Sequence, residues 1–358
     1  MKVALVHDML TQYGGGEKVL KALSEKYPDA PIFTLIYDEK TLGHIFPKER
    51  INTSFLQKMP FSKEKYKWYL PLMPHATENL DLNNFDLIIS SSSAFAKGVI
   101  TNPKAIHICY CHTPTRYLWI DSQEYIRNLK YNEFIKKLIS LFLTRLRLWD
   151  ILSVNRVDKF IANSNNVKHR IKKYYGRNSK VIYPPVETND FFISKEKGNY
   201  FLAGGRLVPY KKFDLIVEAF NKLNIPLKIF GVGPEMEKLR RKANENIEFL
   251  GFTTEKEKTE LYSKAQAFIH PQEEDFGITL VESMASGTPV IAYREGGSKE
   301  SLADIAGEFF HEQTWESIAD KIVNFNKNKY NSELIKKEAE RFNVQEFKRR
   351  MNDFICNC

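Results

Sequence analysis

Residues 270–287 read HPQEEDFGITLVESMASG, a stretch that leaves an apolar run, AFIHPQ, crosses a short acidic loop and enters a helix-like segment beginning near Gly277. Two of its four carboxylates mark it: Glu274 in the loop and Glu282 on the segment the loop opens, with seven residues between them. A strand, a loop and a helix in that order are the ingredients of a parallel α/β unit. Side chains placed just after such a strand lie where open parallel sheets bind ligands, at the strand carboxyl ends. In the N-terminal half of its helix, Glu282 can accept hydrogen bonds from two neighbouring hydroxyls, such as those of a ribose, while Glu274 lies closer to the other end of an extended ligand. A Glu pair at this spacing can equally be a solvated face, so the ligand has to be sought in the rest of the chain.

Outward from this stretch, short apolar or β-branched runs alternate with amphipathic segments. KVALVHDM, PIFTLIYD, FDLIISSS, AIHICYCH, KFIANS and KVIYPPV make a first series; NYFLAGGRL, LKIFGVGP, IEFLGF, AFIHPQ and PVIAY make a second. The runs are apolar on both faces, as parallel strands covered by helices are. The expected fold is therefore α/β, with two doubly wound sheets facing across a cleft that holds the ligand. A length of 358 residues exceeds one ordinary core and fits two domains. Residues 184–199, PPVETNDFFISKEKGN, combine paired prolines, charges and a glycine without periodicity and are read as the linker. The closing segments SELIKKEAERF and VQEFKRRMNDFI have helical spacing and must dock.

Hydrophobic residues at 43% and charged residues at 27% fit a folded protein. Lys and Arg number 53 against 44 Asp and Glu, a net +9 that implies an anionic partner: nucleic acid, a membrane surface or a phosphorylated small molecule. A Lys-rich solvated surface gives the same sum. Lysines are spread along the chain without a helix-turn-helix, RNP or zinc pattern, so nucleic acid is not the expected partner. The richest apolar stretch, FIKKLISLFLTRLRLWDIL, is broken by Lys136, Lys137, Arg145 and Arg147 and is not a transmembrane span. Asp8 and the following glycines interrupt MKVALVHDML where a signal peptide needs its apolar centre, so this is expected to be a first strand of a cytoplasmic protein. Cys109, Cys111, Cys356 and Cys358 form two Cys-x-Cys pairs, too few for a disulfide framework and closer together than zinc ligands usually are.

After the first strand, TQYGGGEKVLKAL places Gly14, Gly15 and Gly16 before a helix, where backbone N–H groups can approach a phosphate or simply make a turn. The dinucleotide pattern G-x-G-x-x-G fails at Val19. AGGRLVPYKKFDLIVEAF puts Arg206 and Lys211 after a strand and a Gly-Gly turn, a planar fork and a point charge suited to a pyrophosphate, with Lys212 a competitor for the second role. Gly231 and Gly233 in FGVGPEMEKLRRKA either pass beneath a nucleotide base or make a tight connection. His112 ends a strand in CYCHTPTRYLW, as a structural hydrogen-bonder or a contact to the ligand. Two acids, two bases and two glycine turns together describe a nucleotide diphosphate sugar, with diols at both ends and charge in the middle.

GGRLVPYKKFD, HPQEEDFGITLVESMASGTPVIA and GGGEKV together resemble the retaining, nucleotide-sugar-dependent glycosyltransferases of family four, which have the GT-B fold of two facing Rossmann-like domains. The resemblance runs from MKVALVHDM through IANSNNVKHRIKKYY and VIYPPVET to the last helices, and its strongest sign is the E-x7-E element, Glu274 to Glu282. It implies an acceptor-side domain over residues 1–185, a donor-binding domain over 186–342 and a final helix, 343–358, crossing back to the first. Arg206 and Lys211 then match positions that bind the donor pyrophosphate, and Glu282 the acid on the nucleotide ribose. Gly277 and Ile278, at the start of that helix, fall among the donor-binding positions. Glu274 matches the acid facing the donor sugar, Gly15 and Gly16 the turn near the phosphates, and His112 the residue near the anomeric carbon.

The mechanism so implied is a front-face transfer in which the leaving phosphate takes the acceptor's proton and Arg206 and Lys211 stabilise the growing charge. No Asp-x-Asp triplet occurs, and neither a metal nor another cofactor is expected. HTPTRYLW with GGGEKV is similar to the mannosyltransferase-like branch that assembles bacterial polysaccharides, which favours GDP-mannose as donor and a saccharide or lipid-linked saccharide as acceptor. UDP-sugars and other GDP-sugars stay open, as do a nucleotide-sugar epimerase, a catalytically dead sugar-binding homologue and a nucleic-acid-binding protein. Residues 55–75, FLQKMPFSKEKYKWYLPLMPH, interleave cations with aromatics, either to lie on an anionic membrane or as a basic loop over the sheet edge.

Overall fold

The computed structural model describes residues 1–127 and 131–357. Cys358, half of the second Cys-x-Cys pair, lies outside the described residues. The chain forms two compact units, one of Met1–Pro184 with the residues from Arg350 on, the other Pro185–Arg349.

In the first unit, β1 (Val3–His7), β2 (Ile32–Thr34), β3 (Ile51–Thr53), β4 (Leu87–Ser92), β5 (Ile106–Cys111), β6 (Lys159–Ala162) and β7 (Ser179–Val181) make a parallel sheet in the order β3-β2-β1-β4-β5-β6-β7. In the second, β8 (Phe201–Gly204), β9 (Leu227–Phe230), β10 (Ile247–Gly251), β11 (Phe268–His270), β12 (Val290–Tyr293) and β13 (Gly307–Phe310) make another in the order β10-β9-β8-β11-β12-β13. Each sheet is parallel, flanked by helices and doubly wound. The strand order reverses between β1 and β4 in one and between β8 and β11 in the other, the points at which such sheets bind ligands.

Two strands escape the sequence reading. β3 is Ile-Asn-Thr at the edge of its sheet, with two of its three residues exposed, and so lacks the two-sided apolar run used to find the others. β13 is also an edge strand and starts with Gly307, whose missing side chain lets it approach β12: a Cβ there would fall 2.0 Å from the Val290 carbonyl oxygen.

Five helices matter below: α1 (Gly15–Lys26), α2 (Glu133–Ser153), α3 (Phe213–Leu223), α4 (Ile278–Ala285) and α5 (Val344–Cys356). Phe213, Ile216, Val217 and Phe220 of α3 recur at three- and four-residue spacing and bury one face against Phe201, Ile229 and Ile269 of the second sheet. Each such side chain, fully buried, contributes about 1.5–3 kcal/mol. α2 is the segment that the sequence reading excluded as a membrane span, and no described helix is long and apolar enough to cross a membrane. Its inner face carries Leu143, Leu146 and Asp150. Asp150 is paired with the buried Lys97 at 2.5 Å and also accepts from Thr115 Oγ1 (2.9 Å), Trp119 Nε1 (2.7 Å) and Tyr175 OH (2.9 Å), so the buried charge is fully partnered. α5 starts in the second unit and ends in the first, where Lys26 Nζ reaches Asn352 Oδ1 at 2.9 Å.

Candidate functional site

In the second unit the candidate residues gather at the reversal between β8 and β11. β8 runs into Gly204 and Gly205, and the chain then turns through Arg206 to a short helical turn ending at Lys211, just before α3. Gly205 has φ +129°, and a Cβ there would lie 3.1 Å from Lys211 Nζ. Glycine thus allows both the backbone turn and the close ammonium. Gly231 and Gly233 press the next turn against this one: a Cβ on Gly231 would fall 1.9 Å from the Gly205 carbonyl oxygen, and one on Gly233 2.2 Å from that of Leu207. Their closeness to backbone is what the tight-connection reading requires.

Lys211 is buried, and its Nζ lies 2.6 Å from Glu274 Oε1. Glu274 Oε2 lies 3.4 Å from Nε2 of the fully buried His270. Burial alone would push the Glu274 carboxyl up, but the Lys211 ammonium and His270 outweigh it and hold it well below the carboxylate range. Burial pushes Lys211 down, but Glu274 and Tyr210 together outweigh it, for a net rise. Both therefore stay charged at neutral pH. Of the two lysines in sequence, Lys211 faces the acid; Lys212 takes a left-handed backbone, φ +55°, at the N-cap of α3. Arg206 is exposed, and its charge reaches Lys211.

The Glu274 backbone is fixed by Gly297 N–H, which donates to its carbonyl at 2.8 Å, and by a parallel bridge to Gly296. Gly277 caps α4 with φ +93°, and Ile278 is the first residue of that helix. Glu282 is the fifth of the eight α4 residues rather than on its first turn, and it points inward, only 2% exposed. Tyr262 OH donates to its Oε2 at 3.3 Å, and Lys258 Nζ lies 3.9 Å from its Oε1. Around the same loop His270 Nδ1, both amide atoms of Gln272 and Thr279 Oγ1 are buried without a partner among the described residues. Such atoms cost about 1–3 kcal/mol each when left unpaired, so the site has hydrogen-bonding capacity that a polar ligand can satisfy.

In the first unit, Gly15 and Gly16 open α1, and Gly14 N–H donates to Glu17 Oε2 at 2.9 Å. His7 Nε2 lies 3.5 Å from Glu17 Oε1, while Ser91 Oγ bridges His7 Nδ1 (3.1 Å) and His112 Nε2 (2.8 Å). A Cβ on Gly16 would lie 3.4 Å from His7 Cε1 and 3.5 Å from His112 Nε2, so glycine lets the helix close over both rings. Burial, then His7, pushes the His112 ring down to about 4, and it is neutral at pH 7. Nearby, Asp8 Oδ2 accepts from the backbone N–H groups of Ser93 (2.6 Å) and Ala94 (3.0 Å), and its Oδ1 from those of Phe95 (2.8 Å) and Ala96 (2.7 Å). Of the Arg, Tyr and Trp after His112, Arg116 pairs with Asp121 at 2.8 Å and Trp119 Nε1 donates to Asp150 at 2.7 Å.

The structure thus brings Lys211, Glu274, Gly277, Ile278 and Glu282 to one end of the second sheet, and Gly15, Gly16 and His112 to one end of the first. The sequence reading passed over His270, Gln272, Thr279, Tyr262 and Lys258, and over His7, Ser91 and Glu17. Position at a strand's carboxyl end could have flagged His7, Ser91 and His270; Tyr262 and Lys258 belong to a helix that only folding brings to Glu282. Among the described residues, no group of three or more His, Cys, Asp or Glu is placed to hold a metal ion, and Cys109 and Cys111 are buried, free thiols.

Two doubly wound units of this kind define the GT-B architecture. Residues 186–342 match the family model described as Glycosyl transferases group 1, and residues 13–190 the one described as Glycosyltransferase Family 4. The chain belongs to the GT-B-fold glycosyltransferases. It is 32% identical over 172 residues to the O-antigen chain mannosyltransferase RfbU of Salmonella typhimurium, covering 45% of this chain and 47% of that protein. The chain therefore spans about half the length of that curated relative. A human GDP-Man:Man(3)GlcNAc(2)-PP-Dol alpha-1,2-mannosyltransferase is 26% identical, covering 97% of this chain and 85% of its own. Among solved structures, Anabaena HepE in complex with UDP and glucose superposes over 100% of both chains with a TM-score of 0.74 at 19% identity, a likeness of fold.

Proposed function

We propose that this chain transfers a hexose from a nucleotide diphosphate sugar to a saccharide or lipid-linked saccharide, with retention at the anomeric carbon and without an essential metal. The observation that carries the reading is the Lys211–Glu274 pair at the reversal of the second sheet, with buried polar atoms that lack partners among the described residues around the same loop and Glu282 on the helix which that loop opens. Arg206 and Lys211 take the diphosphate, Glu282 the ribose hydroxyls, and the ionised Glu274 a hydroxyl of the donor sugar, with Gly277 and Ile278 at the entrance of α4. Gly15, Gly16 and His112 keep the roles that the family resemblance gives them.

In the reaction the bond from the anomeric carbon to the diphosphate oxygen breaks, the acceptor oxygen bonds on the same face, and its proton passes to the departing diphosphate. Arg206 and Lys211 stabilise charge growing on that group, an effect typically worth several kcal/mol, and supply what a divalent metal otherwise would. The mannosyltransferases among the relatives favour GDP-mannose as donor; the HepE structures with UDP and with UDP-glucose favour a UDP-sugar. Such chemistry belongs at the cytoplasmic face of a membrane when the acceptor is lipid-linked.

Thermal-shift measurements against GDP, UDP and their sugars test the reading and choose the donor. A ligand at about 100 times its dissociation constant adds about 2.7 kcal/mol of stability. Absence of any shift with every nucleotide sinks the proposal. Product NMR with the donor so found reads the anomeric configuration directly.

A further inference from the structure

The outward face of α2 carries Phe134, Leu138, Leu141, Arg145, Leu148 and Leu152, spaced alternately four and three residues apart, which aligns them in one stripe along the helix. The five apolar members are between 51% and 70% exposed. The stripe lies opposite the buried Leu143, Leu146 and Asp150, so α2 is apolar on two sides and only one is covered. Exposed Lys137 and Arg145 stand beside or within it, and the two acids of the helix are engaged elsewhere: Glu133 with Lys136 at 3.1 Å and Asp150 with Lys97.

A second outward surface lies on the same part of the unit. Phe61, Trp68 and Leu72 are exposed, and Lys65 Nζ sits 4.4 Å from the Trp68 ring centre and 5.3 Å from that of Phe61. The inner sides of the two elements meet in one core, where Leu56, Tyr66, Tyr69 and Met73 pack with Ile139, Phe142, Leu143 and Leu146.

We infer that the α2 stripe, with the Phe61–Leu72 segment, docks the first unit onto the surface of a bilayer containing anionic lipid. Leu and Phe side chains enter the boundary between headgroups and acyl chains, Lys137, Arg145 and Lys65 remain among the phosphates, and Trp68 sits at headgroup depth. Charge complementarity selects this occupant. A second copy of the chain would bring Arg145 and Lys137 against cations, with no free acid on the stripe to meet them. The inference deepens the acceptor side of the proposed function and rests on that reading only for the acceptor being lipid-linked.

The test is co-sedimentation of the full chain with phosphatidylcholine vesicles, with and without phosphatidylglycerol, for the wild type and for a Leu138→Glu, Leu141→Glu, Leu148→Glu variant. Because these side chains are exposed, the variant should keep its circular dichroism and its thermal shift with nucleotide, which separates loss of docking from failure of the transferase reading. Wild-type binding to the anionic vesicles, weakened at least about tenfold in the variant and reduced by salt, supports the inference. Equal binding by both proteins, or no binding by the wild type, overturns it. So does a lipid-free dimer in sedimentation equilibrium that the variant abolishes, since the stripe would then belong to a second copy.

Discussion

Lys211 Nζ and Glu274 Oε1 stand 2.6 Å apart across the reversal of the second sheet, joining the turn after β8 to the loop after β11. The pair fixes two loops that chain connectivity alone leaves independent, and it keeps an acid and a base ionised side by side.

Lys211→Met removes the ammonium and leaves a carboxylate that is only 16% exposed, which should cost about 3 kcal/mol, toward the low end for a broken buried pair. Adding Glu274→Gln should restore most of that stability while leaving transfer abolished. Urea unfolding at neutral pH with a product assay reads both; a double variant no more stable than the single would show that the pair is not the cause. The sign with pH follows from the two shifts. Glu274, lowered on folding, contributes stability above its unfolded value of 4.5 and loses it as pH falls toward the folded one, while Lys211, raised on folding, contributes below 10.5 and loses it above. The cost of Lys211→Met should therefore be flat from about pH 5 to about pH 10.

Glu282→Gln keeps the shape of the side chain and an acceptor for Tyr262 but removes the charge beside Lys258. If Glu282 holds the ribose, titration calorimetry should give nucleotide binding weakened about tenfold, the loss of one charge-assisted hydrogen bond, with the fold intact. Unchanged nucleotide affinity with weakened acceptor use would reassign the residue.

His107 and His112 work in the opposite sense to a paired histidine. His107 Nδ1–H donates to the Arg156 carbonyl at 3.0 Å, which leaves Nε2 of the neutral ring to accept from Ser90 Oγ at 2.8 Å. Burial pushes both rings from 6.5 to about 4. Their stability contribution is complete above 6.5 and declines as pH falls toward about 4, because the unfolded chain binds the protons first. Unfolding free energy should fall across that window by about 1.4 kcal/mol per pH unit for each ring. His107→Phe should remove one ring's share of the slope; an unchanged slope would mean that His107 is charged in the fold.

Gly231→Ala should be among the most damaging single-methyl changes in the second unit. Its Cβ would fall 1.9 Å from the Gly205 carbonyl oxygen, and its φ of +107° suits glycine alone. Overpacking and backbone strain together should cost about 3 kcal/mol or more. Thermal unfolding measures it, and a loss below about 1 kcal/mol would mean that the two turns separate easily.

Much of this was legible before folding because parallel strands covered on both faces are written as continuous apolar runs, so β4 and β11 announce themselves in FDLIISSS and AFIHPQ. The edge strands β3 and β13 did not, since an edge strand is freed from that requirement, although the other two edges, β7 and β10, keep apolar runs. Within the candidate site, Lys211 and Glu274 could be placed because each lies in the connection that follows a strand. What pattern could not say is that they touch each other, that Glu282 turns inward to Tyr262, or that His112 reaches Ser91 and through it His7. Those contacts join residues distant in sequence, and only the sheet order brings them together. The same holds for α2, whose cations ruled out a span while its two apolar faces emerged only once one was seen packed and the other bare.

Asp8 gives the first unit a different electrostatic character from the second. The cup of four amides that follows β4 is ready-made for an anion, and the chain fills it with its own carboxylate. An incoming phosphate would have to evict that resident and unfasten the end of β1 from the start of the next turn. The first unit has thus devoted an anion receptor to its own architecture, whereas under the proposed function the exposed guanidinium of Arg206 would take a visiting phosphate with no such eviction.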